Sequence, residues 1–402
     1  MNNTNLRIVS IDVLRGVAMV MMALDHVRDY YAPTLFAVED LTRTTWALFL
    51  TRWITHTGAP IFVLLVGTSA YLYRSRHRLN RGELARFLFL RGLWLIVLEF
   101  TVMHFVWWLG PDTGWLASPY SILYGQILWA IGLSMVVLAG LVYLPVAVVG
   151  AIGALMIVGH NLLERWSFEL GILTTNPAEL TVAQKLWAVL HVPTRFPWLG
   201  DHWFGVVYPL IPWVGVVALG YGLGPVFRLE PERRRRIFLW LGLGLCVAFV
   251  ALRAINIYGD PYPWTAQKSP LFTVFSFGNC EKYPVSLSFL LMTLGPIFVM
   301  LALLDRARGP VARVLAVFGS VPLFYYVVHL ALINATAGFY FYLRWGQPRW
   351  GAMMYAPYPL GYVYNLPVVY AVATGVVLVM YPLCRWFADV KRKSDAWWLS
   401  YL

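Results

Sequence analysis

The stretch SIDVLRGVAMVMMALDHVRDYY, residues 10–31, decides how the rest of the chain is interpreted. It has the length and apolar content of a membrane-spanning helix, which needs about 20 residues to cross a hydrocarbon core roughly 30 Å thick. Yet it carries Asp12, Arg15, Asp25 and His26. Ionisable side chains at membrane depth cost roughly 2.5–3.5 kcal/mol each on insertion scales, and they usually face a partner or a cavity. Their spacing therefore indicates where a functional site lies.

Two of these side chains are predicted to share one helix face. Arg15 and His26 are eleven residues apart, which is three turns plus about 20°, so they project together about 16 Å apart along the axis. Asp12 falls close to that face and is predicted to pair with Arg15. Asp25 is turned about 100° from His26, and it could orient a neighbour or meet Arg28. The structural alternative is that these groups only anchor the helix at the two membrane interfaces.

The composition places the whole chain in the membrane class. Of its 402 residues, 60% are hydrophobic and only 12% are charged, whereas a soluble domain carries about 25% charged residues. The net charge of +12 sits in short clusters between apolar spans, so membrane topology explains it and no nucleic-acid partner is predicted. The lipid bilayer is the predicted partner. The three cysteines have no metal-ligand spacing, and no metal is predicted.

An all-α polytopic fold is predicted, with about ten transmembrane helices in one bundle and a single domain over residues 1–402. The predicted spans lie near 10–31, 46–73, 86–109, 121–142, 144–163, 205–227, 237–257, 285–304, 313–340 and 363–386. Alternate connections, including the loop after the second span and the run 233–236, hold most of the 31 Lys and Arg residues. Because basic loops stay in the cytoplasm, both termini are predicted to be cytoplasmic.

The second span carries two ionisable groups on one face. Arg52 and His56 are four residues apart near its outer end, which is one helical turn. Pro60 follows closely and predicts a bend, which would free backbone groups to line a cavity. A structural histidine bonded to a neighbouring span is the alternative for His56.

Two deeper groups have open assignments. Glu99 lies in the third span, where a carboxylate would need a cationic partner, and Arg253 in the seventh span is one candidate. His329 lies near the middle of the ninth span, where core packing with one hydrogen bond is the alternative to a functional role.

The segment IDVLRGVAMVMMALDH resembles the N-terminal motif of integral-membrane acyltransferases, in which a basic residue precedes a histidine by ten intervening positions. Further blocks resemble bacterial relatives of heparan-α-glucosaminide N-acetyltransferase. They are THTGAPIFVLLVGTSAYLY, YPLIPWVGVVALGYGLG, KYPVSLSFLLMTLGP and PLFYYVVHLALIN. The resemblance covers most of the chain and implies a multi-pass protein of the bacterial inner membrane.

The resemblance also implies acyl transfer across that membrane, with acetyl-CoA as the cosubstrate and no metal. The donor would enter from the cytoplasm and the acyl group would pass to a sugar or another cell-envelope acceptor on the outer face. Arginine suits phosphate recognition, so Arg15 is expected to bind the CoA phosphates. The other residues expected at the CoA site are Asp12, Arg74 and Arg78.

His26 is expected to be the catalytic base, because histidine exchanges protons near neutral pH. Asp25, which could fix the tautomer of His26, and His56 complete the expected catalytic group. The residues expected to bind the acceptor are Arg52, Glu99 and His329.

Several alternatives stay open at this point. Transfer to nitrogen fits the N-acetyltransferase relatives, whereas the Arg15–His26 pair is similar to membrane O-acyltransferases that decorate bacterial polysaccharides. Direct transfer and transfer through an acetyl-histidine are both open, and a homo-oligomer is compatible with the sequence. A transporter or lipid- or oligosaccharide-handling protein would instead show discontinuous helices around a midplane site lined by Glu99 and Arg253. A structural or regulatory protein would show only paired charges and a closed interior.

Overall fold

The computed structural model describes residues 8–32, 34, 36–108, 122–346 and 365–394, which form a mainly helical bundle. The α-helices are α1 (Val9–Tyr31), α2 (Trp46–Thr55), α3 (Gly58–His77), α4 (Arg81–Leu98), α5 (His104–Trp108), α6 (Ile127–Leu141), α7 (Val146–Gly159), α8 (Glu164–Glu169), α9 (Val182–Leu190), α10 (Leu210–Gly222), α11 (Pro231–Ile255), α12 (Pro270–Gly278), α13 (Leu287–Leu304), α14 (Pro310–Ser320), α15 (Pro322–Trp345) and α16 (Leu366–Lys393). The strands are β1 (Ile122–Gly125), β2 (Thr194–Leu199) and β3 (His202–Val206). A π-helical turn, Glu99–Met103, joins α4 to α5. The predicted all-α, multi-pass membrane class is confirmed.

Within the described residues, eight helical segments are long and apolar enough to cross a membrane. They are Trp46–His77, Arg81–Trp107, Val146–Glu169, Leu210–Arg228, Pro231–Ile255, Leu287–Leu304, Pro322–Trp345 and Leu366–Lys393. The predicted number of ten spans is therefore not confirmed. The second span is interrupted where a bend was predicted, because α2 ends at Thr55 and α3 begins at Gly58.

Two predicted spans differ from the structure for local reasons. The predicted span 121–142 is strand β1 followed by α6, which has only 15 residues. The predicted span 313–340 is divided into α14 and α15, so the prediction of one continuous helix there is wrong. Pro322 lacks an N–H and fits the first turn of a helix better than its interior, so a new helix begins at that residue.

Helix α1 lies inside the bundle, although its charged residues exclude it from the eight apolar segments. It packs against α3, α13, α14, α15 and α16, and more than half of its 23 residues are buried. Its contact with α14 requires small residues, since a Cβ on Gly319 would overlap the backbone of Asp12. Small residues let helix backbones approach closely in membrane proteins. The charges of α1 therefore face other helices and an internal space.

A small mixed sheet was not among the predicted elements. Its strand order is β1–β3–β2, with β1 parallel to β3 and β2 antiparallel to β3. Strand β1 leads into α6 after a single residue, Gln126. The pairing with β3 therefore sets where α6 begins, and it places the start of that helix next to the site described below.

Candidate functional site

One large cavity runs beside α1. Its volume is about 1400 Å³, above the roughly 300–1,000 Å³ of most small-molecule pockets. On α1 it is lined by residues that recur mostly every three or four positions, as expected for one helix face. These residues are Arg15, Met19, Met22, Asp25, His26, Arg28 and Asp29. Arg15 and His26 thus border the same space, and the predicted common face is confirmed.

One end of the cavity is basic. Arg15, Arg76, Arg91 and Lys391 line it from α1, α3, α4 and α16, and we call these four residues the basic end. Arg15 makes the predicted ion pair with Asp12, in which Nη1 lies 3.4 Å from Oδ1. Arg15 and Arg91 both lie close enough to Lys391 to act on its charge. Positive charge brought together from four helices is an arrangement that suits a multiply charged anion.

Arg74 and Arg78, which were expected at the CoA site, are not among the described residues that line the cavity. The Nη1 atom of Arg74 donates instead to the hydroxyl of Tyr221 over 3.3 Å. Arg78 ends α3 in the left-handed conformation, with φ of 53°. Arg76, which was not predicted, lies three residues after Tyr73, another lining residue. Helical spacing was the signal that could have identified it.

His26 contacts a histidine of α15. Its Nδ1 lies 2.9 Å from Nε2 of His329, and Nδ1 of His329 lies 2.7 Å from the carbonyl oxygen of Tyr325. The ring of His26 borders the cavity and packs edge-on against Trp107, with centroids 5.4 Å apart. His329 is fully buried and is not among the described lining residues. The structure thus places His329 behind His26, away from the cavity surface where an acceptor would bind.

Asp25 is held by a set of side chains that we call the Asp25 network, namely Asp25, Arg28, Glu39, Arg52 and Thr55. Nη1 of Arg52 lies 2.9 Å from each carboxylate oxygen of Asp25. The hydroxyl of Thr55 donates to Oδ1 over 2.7 Å, and Nη2 of Arg28 lies 3.2 Å from the same oxygen. The predicted meeting of Asp25 with Arg28 is confirmed.

Glu39 connects this network to His56. It lies in the connection between α1 and α2, where its Oε1 accepts from Nε of Arg52 over 3.0 Å and lies 3.7 Å from Nε2 of His56. Burial raises the pKa of Glu39, but the nearby ring of His56 and the charge of Arg52 outweigh it and hold that pKa below its ordinary value. Arg52 and His56 therefore both line the cavity close to Asp25, as their predicted position on one helix face requires.

The tautomer role predicted for Asp25 is wrong. Both of its oxygens are bonded within the Asp25 network, while the ring of His26 is hydrogen-bonded to His329. The physical reason is distance along the helix surface: Asp25 points about 100° away from its neighbour in sequence. It therefore faces α2, whereas His26 faces α15.

Glu99 and Arg253 are not partners, so that suggested ion pair is wrong. Oε2 of Glu99 accepts from the backbone N–H groups of Leu128 and Trp129 over 2.8 and 3.2 Å. These groups open α6, and the first N–H groups of a helix need acceptors from outside it. Arg253 pairs with Asp260 at 3.7 Å. Glu99 is not among the described lining residues, and its contacts position α6 next to the cavity.

A loop also reaches the cavity through Lys282 and Tyr283, which were not predicted. Its shape is fixed by Asp260, whose Oδ2 accepts from the N–H of Glu281 over 3.0 Å and from the hydroxyl of Ser286 over 2.7 Å. Loop residues follow no helical or strand period, so the sequence carried no signal for their position.

The described part of the chain contains no group of three or more His, Cys, Asp or Glu side chains that could hold a metal ion.

Comparison with known proteins gives one family. The family described as heparan-alpha-glucosaminide N-acetyltransferase, catalytic, matches residues 7–258, more than half of the chain. The matched region runs from α1 to just beyond α11, so it contains Arg15, His26, Arg52 and His56 but not His329. No curated protein matches the chain.

Proposed function

This chain belongs to the heparan-alpha-glucosaminide N-acetyltransferase catalytic family and is a membrane acyltransferase-like protein, and on that premise we propose that it transfers an acetyl group from acetyl-CoA to a sugar or another cell-envelope acceptor. The donor enters from the cytoplasm, and the acceptor approaches from the opposite face of the membrane. The proposed setting is the bacterial inner membrane, with both termini in the cytoplasm.

The observation that carries the proposal is the single cavity that joins the basic end to His26 and the Asp25 network. Its volume of about 1400 Å³ exceeds a typical single-ligand pocket and leaves room for a donor and an acceptor together. A reaction between two substrates requires that both reach one point, and positioning them there removes much of the entropic barrier. Along α1, His26 borders the cavity beside the Asp25 network and eleven residues after Arg15 of the basic end.

The basic end is the proposed site for the phosphates of the donor. Arginine binds phosphate oxygens through two parallel N–H groups, and lysine adds a compact charge. Arg15 and Arg76 project from two different helices toward the same space, so they can hold separate phosphates. His26 lies three turns along α1 from Arg15, about 16 Å away along the axis, where the thioester of an extended donor would lie.

His26 is the proposed catalytic base. It removes the proton from an acceptor hydroxyl or amine as the acceptor atom attacks the carbonyl carbon of the thioester. A C–O or C–N bond forms, the C–S bond breaks, and its electron pair leaves with the sulfur. His26 then returns the proton to the sulfur, so that CoA leaves as the thiol. Base catalysis of this kind contributes typically about 10²–10⁴ in rate.

The Asp25 network and its neighbours are the proposed acceptor site. The arginines of the network are already bonded to carboxylates, so they present hydrogen-bonding groups and little net charge. The rings of Trp107, Tyr283 and Tyr326 also line the cavity. Aromatic faces together with paired carboxylates and arginines suit a sugar, which offers hydroxyl groups at its edge and C–H groups on its faces.

The direct test is release of CoA thiol from acetyl-CoA by the purified protein in lipid nanodiscs, with amino sugars and neutral sugars as acceptors. We predict that His26→Ala lowers turnover by about 10²–10⁴. Binding of acetyl-CoA should change little, because the basic end is intact.

The matched control is His202→Ala, which removes a histidine of β3 that is not among the described lining residues. It should leave turnover unchanged. The proposal fails if the wild-type protein binds no acetyl-CoA, or if His26→Ala turns over as fast as His202→Ala.

Transport of the acceptor without chemistry is a second candidate, favoured by the break between α14 and α15. Ser320 and Pro322 at this break line the cavity, as expected for a discontinuous helix of a transporter. Glu99 and Arg253, the expected midplane residues, are not among the described lining residues. Uptake of a labelled sugar into vesicles in the absence of acetyl-CoA would support transport, and uptake that requires acetyl-CoA would not.

A further inference from the structure

The hydrogen bond between His26 and His329 has a defined geometry. The donor and acceptor nitrogens are 2.9 Å apart, and the two rings are inclined by only 25° with centroids 5.1 Å apart. A centroid separation this much larger than the N–N distance means that the rings meet edge to edge. The bond thus lies near the planes of both rings, as a hydrogen bond to a ring nitrogen requires.

The carbonyl of Tyr325 fixes the direction of that bond. A carbonyl oxygen can only accept, so the Nδ1 of His329, 2.7 Å away, carries a hydrogen and donates it. In a neutral imidazole the other nitrogen is then an acceptor. Nε2 of His329 therefore accepts from Nδ1 of His26, and the proton of a neutral His26 is held on Nδ1.

The opposite arrangement would require His329 to be an imidazolium. His329 is fully buried, and its two ring nitrogens contact the ring of His26 and a backbone carbonyl. A cation there would have no carboxylate partner among the described contacts of that ring, and an uncompensated buried charge is strongly unfavourable. The neutral form of His329, with its lone pair toward His26, is the one that these contacts accommodate.

We propose that His329 is the positioning residue of the acyl transfer, which keeps the proton of His26 on Nδ1 and leaves Nε2 as the basic nitrogen. This inference deepens the proposed function and rests on it for its catalytic meaning. Nε2 of His26 makes no hydrogen bond within the described part of the chain, and its ring borders the cavity. The nitrogen that would meet an acceptor is thus the one that carries a lone pair.

His329 also stabilises the charge that forms during the step. When Nε2 of His26 takes the acceptor proton, the ring becomes an imidazolium, and its Nδ1–H bond to His329 becomes charge-assisted and stronger. His329 donates its own Nδ1 hydrogen to the carbonyl of Tyr325, so the acquired proton is not carried away from His26 through these hydrogen bonds. It stays available to the departing sulfur, which balances the reaction.

The first test measures the tautomer directly. Protein labelled with ¹⁵N-histidine is placed in nanodiscs without substrate, and the His26 signals are assigned by their loss in His26→Asn. We expect a protonated Nδ1 and an unprotonated Nε2 in the wild-type protein. A protonated Nε2 at neutral pH would overturn the inference, and this measurement needs no variant of His329.

The second test uses two substitutions of His329. His329→Gln retains an acceptor oxygen for the Nδ1–H of His26, whereas His329→Phe retains a ring but no acceptor. We expect His329→Phe to release the tautomer and to lower kcat roughly 10²-fold or more, with the KM for acetyl-CoA little changed. His329→Gln should keep the wild-type tautomer and most of kcat. Equal kcat losses in the two folded variants, or a wild-type tautomer in both, would overturn the inference.

The two proposals can fail separately. If no substrate is acetylated but the tautomer of His26 depends on a hydrogen-bond acceptor at position 329, the proposed function fails and the positioning of His26 by His329 stands. If acetyl transfer requires His26 but kcat and the tautomer ignore the substitutions at His329, the function stands and this inference fails.

Discussion

The two ends of the cavity carry charge in different ways. The basic end brings four cations together from four helices, and the Arg15–Asp12 pair there is long, at 3.4 Å. In the Asp25 network the arginines hold carboxylates at 3.2 Å or less: Arg52 bonds Asp25 and Glu39, and Arg28 bonds Asp25. The four side chains that line the basic end are all cations, whereas the charges of the Asp25 network balance one another.

This difference indicates that the basic end binds a charged ligand, whereas the Asp25 network holds the cavity wall in a fixed arrangement. A cluster of one sign attracts a multiply charged ligand from solution and gains its stabilisation when that ligand arrives. A balanced network gains its stabilisation during folding, and it presents the next ligand with fixed donors and acceptors. Substitutions at the balanced end should therefore affect folding, and those at the basic end should affect binding.

The largest effect is expected for Asp25→Ala. It leaves Arg52 inside the bundle with the partly exposed Glu39 as its remaining carboxylate, and loss of one member of a buried pair typically costs up to about 3–5 kcal/mol. The side chain of Asp25 is only 15% exposed, so water can replace little of what is lost. Thermal unfolding in detergent should show a clearly lower midpoint than for the wild-type protein.

The double variant Asp25→Asn with Arg52→Gln is the control for this explanation. It removes both charges of this pair, and it should recover part of the lost stability, because the carboxylate that then lacks Arg52, Glu39, is 37% exposed and can be hydrated. Arg28 keeps a partner in Asp29, 2.5 Å away. A double variant as unstable as Asp25→Ala would show that the loss does not come from the arginine that Asp25 had neutralised.

The next effect is expected at the basic end, for Arg76→Ala. Removing one charged hydrogen-bonding group typically costs about 1.5–3 kcal/mol, so the affinity for acetyl-CoA should fall roughly tenfold or more. The unfolding midpoint should change little. Isothermal titration calorimetry measures the binding, and added salt should weaken it, because salt screens exposed charges.

Arg78→Ala is the matched control, since it removes an arginine two residues away that is not among the described lining residues. Affinity for acetyl-CoA should be close to that of the wild-type protein. Equal losses for Arg76→Ala and Arg78→Ala would mean that the net charge of this face matters and the position of each arginine does not.

Features of the site that depend on one helix were predictable from the sequence. Helical geometry and proline chemistry account for the common face of Arg15 and His26, the Asp12–Arg15 pair and the helix interruption before Gly58. The division of the predicted ninth span was also signalled, by Pro322. These features could be derived because their causes lie within a few residues.

Contacts between distant segments were not predictable in this way. His26 and His329 are 303 residues apart, and no local pattern relates them. The pairing of β1 with β3 brings together segments separated by four helices. Asp25 and Arg52 were both recognised as unusual, but which of several cations would meet that carboxylate depends on how the helices pack. Tertiary packing decides these partners.

The smallest effect is expected for Glu39→Gln, which tests the balanced end by pH. The side chain of Glu39 is 37% exposed, and ion pairs with this much access to water contribute about 0.2–1 kcal/mol. Its pKa is held below the ordinary value, so the unfolded chain binds more protons than the folded chain in moderate acid. The stabilisation by ionised Glu39 is therefore fully present above the ordinary carboxyl pKa of about 4.3, and it is lost as the pH falls through the lower folded pKa.

Unfolding midpoints of the wild-type protein and Glu39→Gln should differ near neutral pH and converge in acid. Arg76→Ala should show no such convergence in its binding defect, because arginine keeps its charge over this whole range. A difference between wild type and Glu39→Gln that persists in acid would show that Glu39 acts through the shape of its hydrogen bonds and not through its charge.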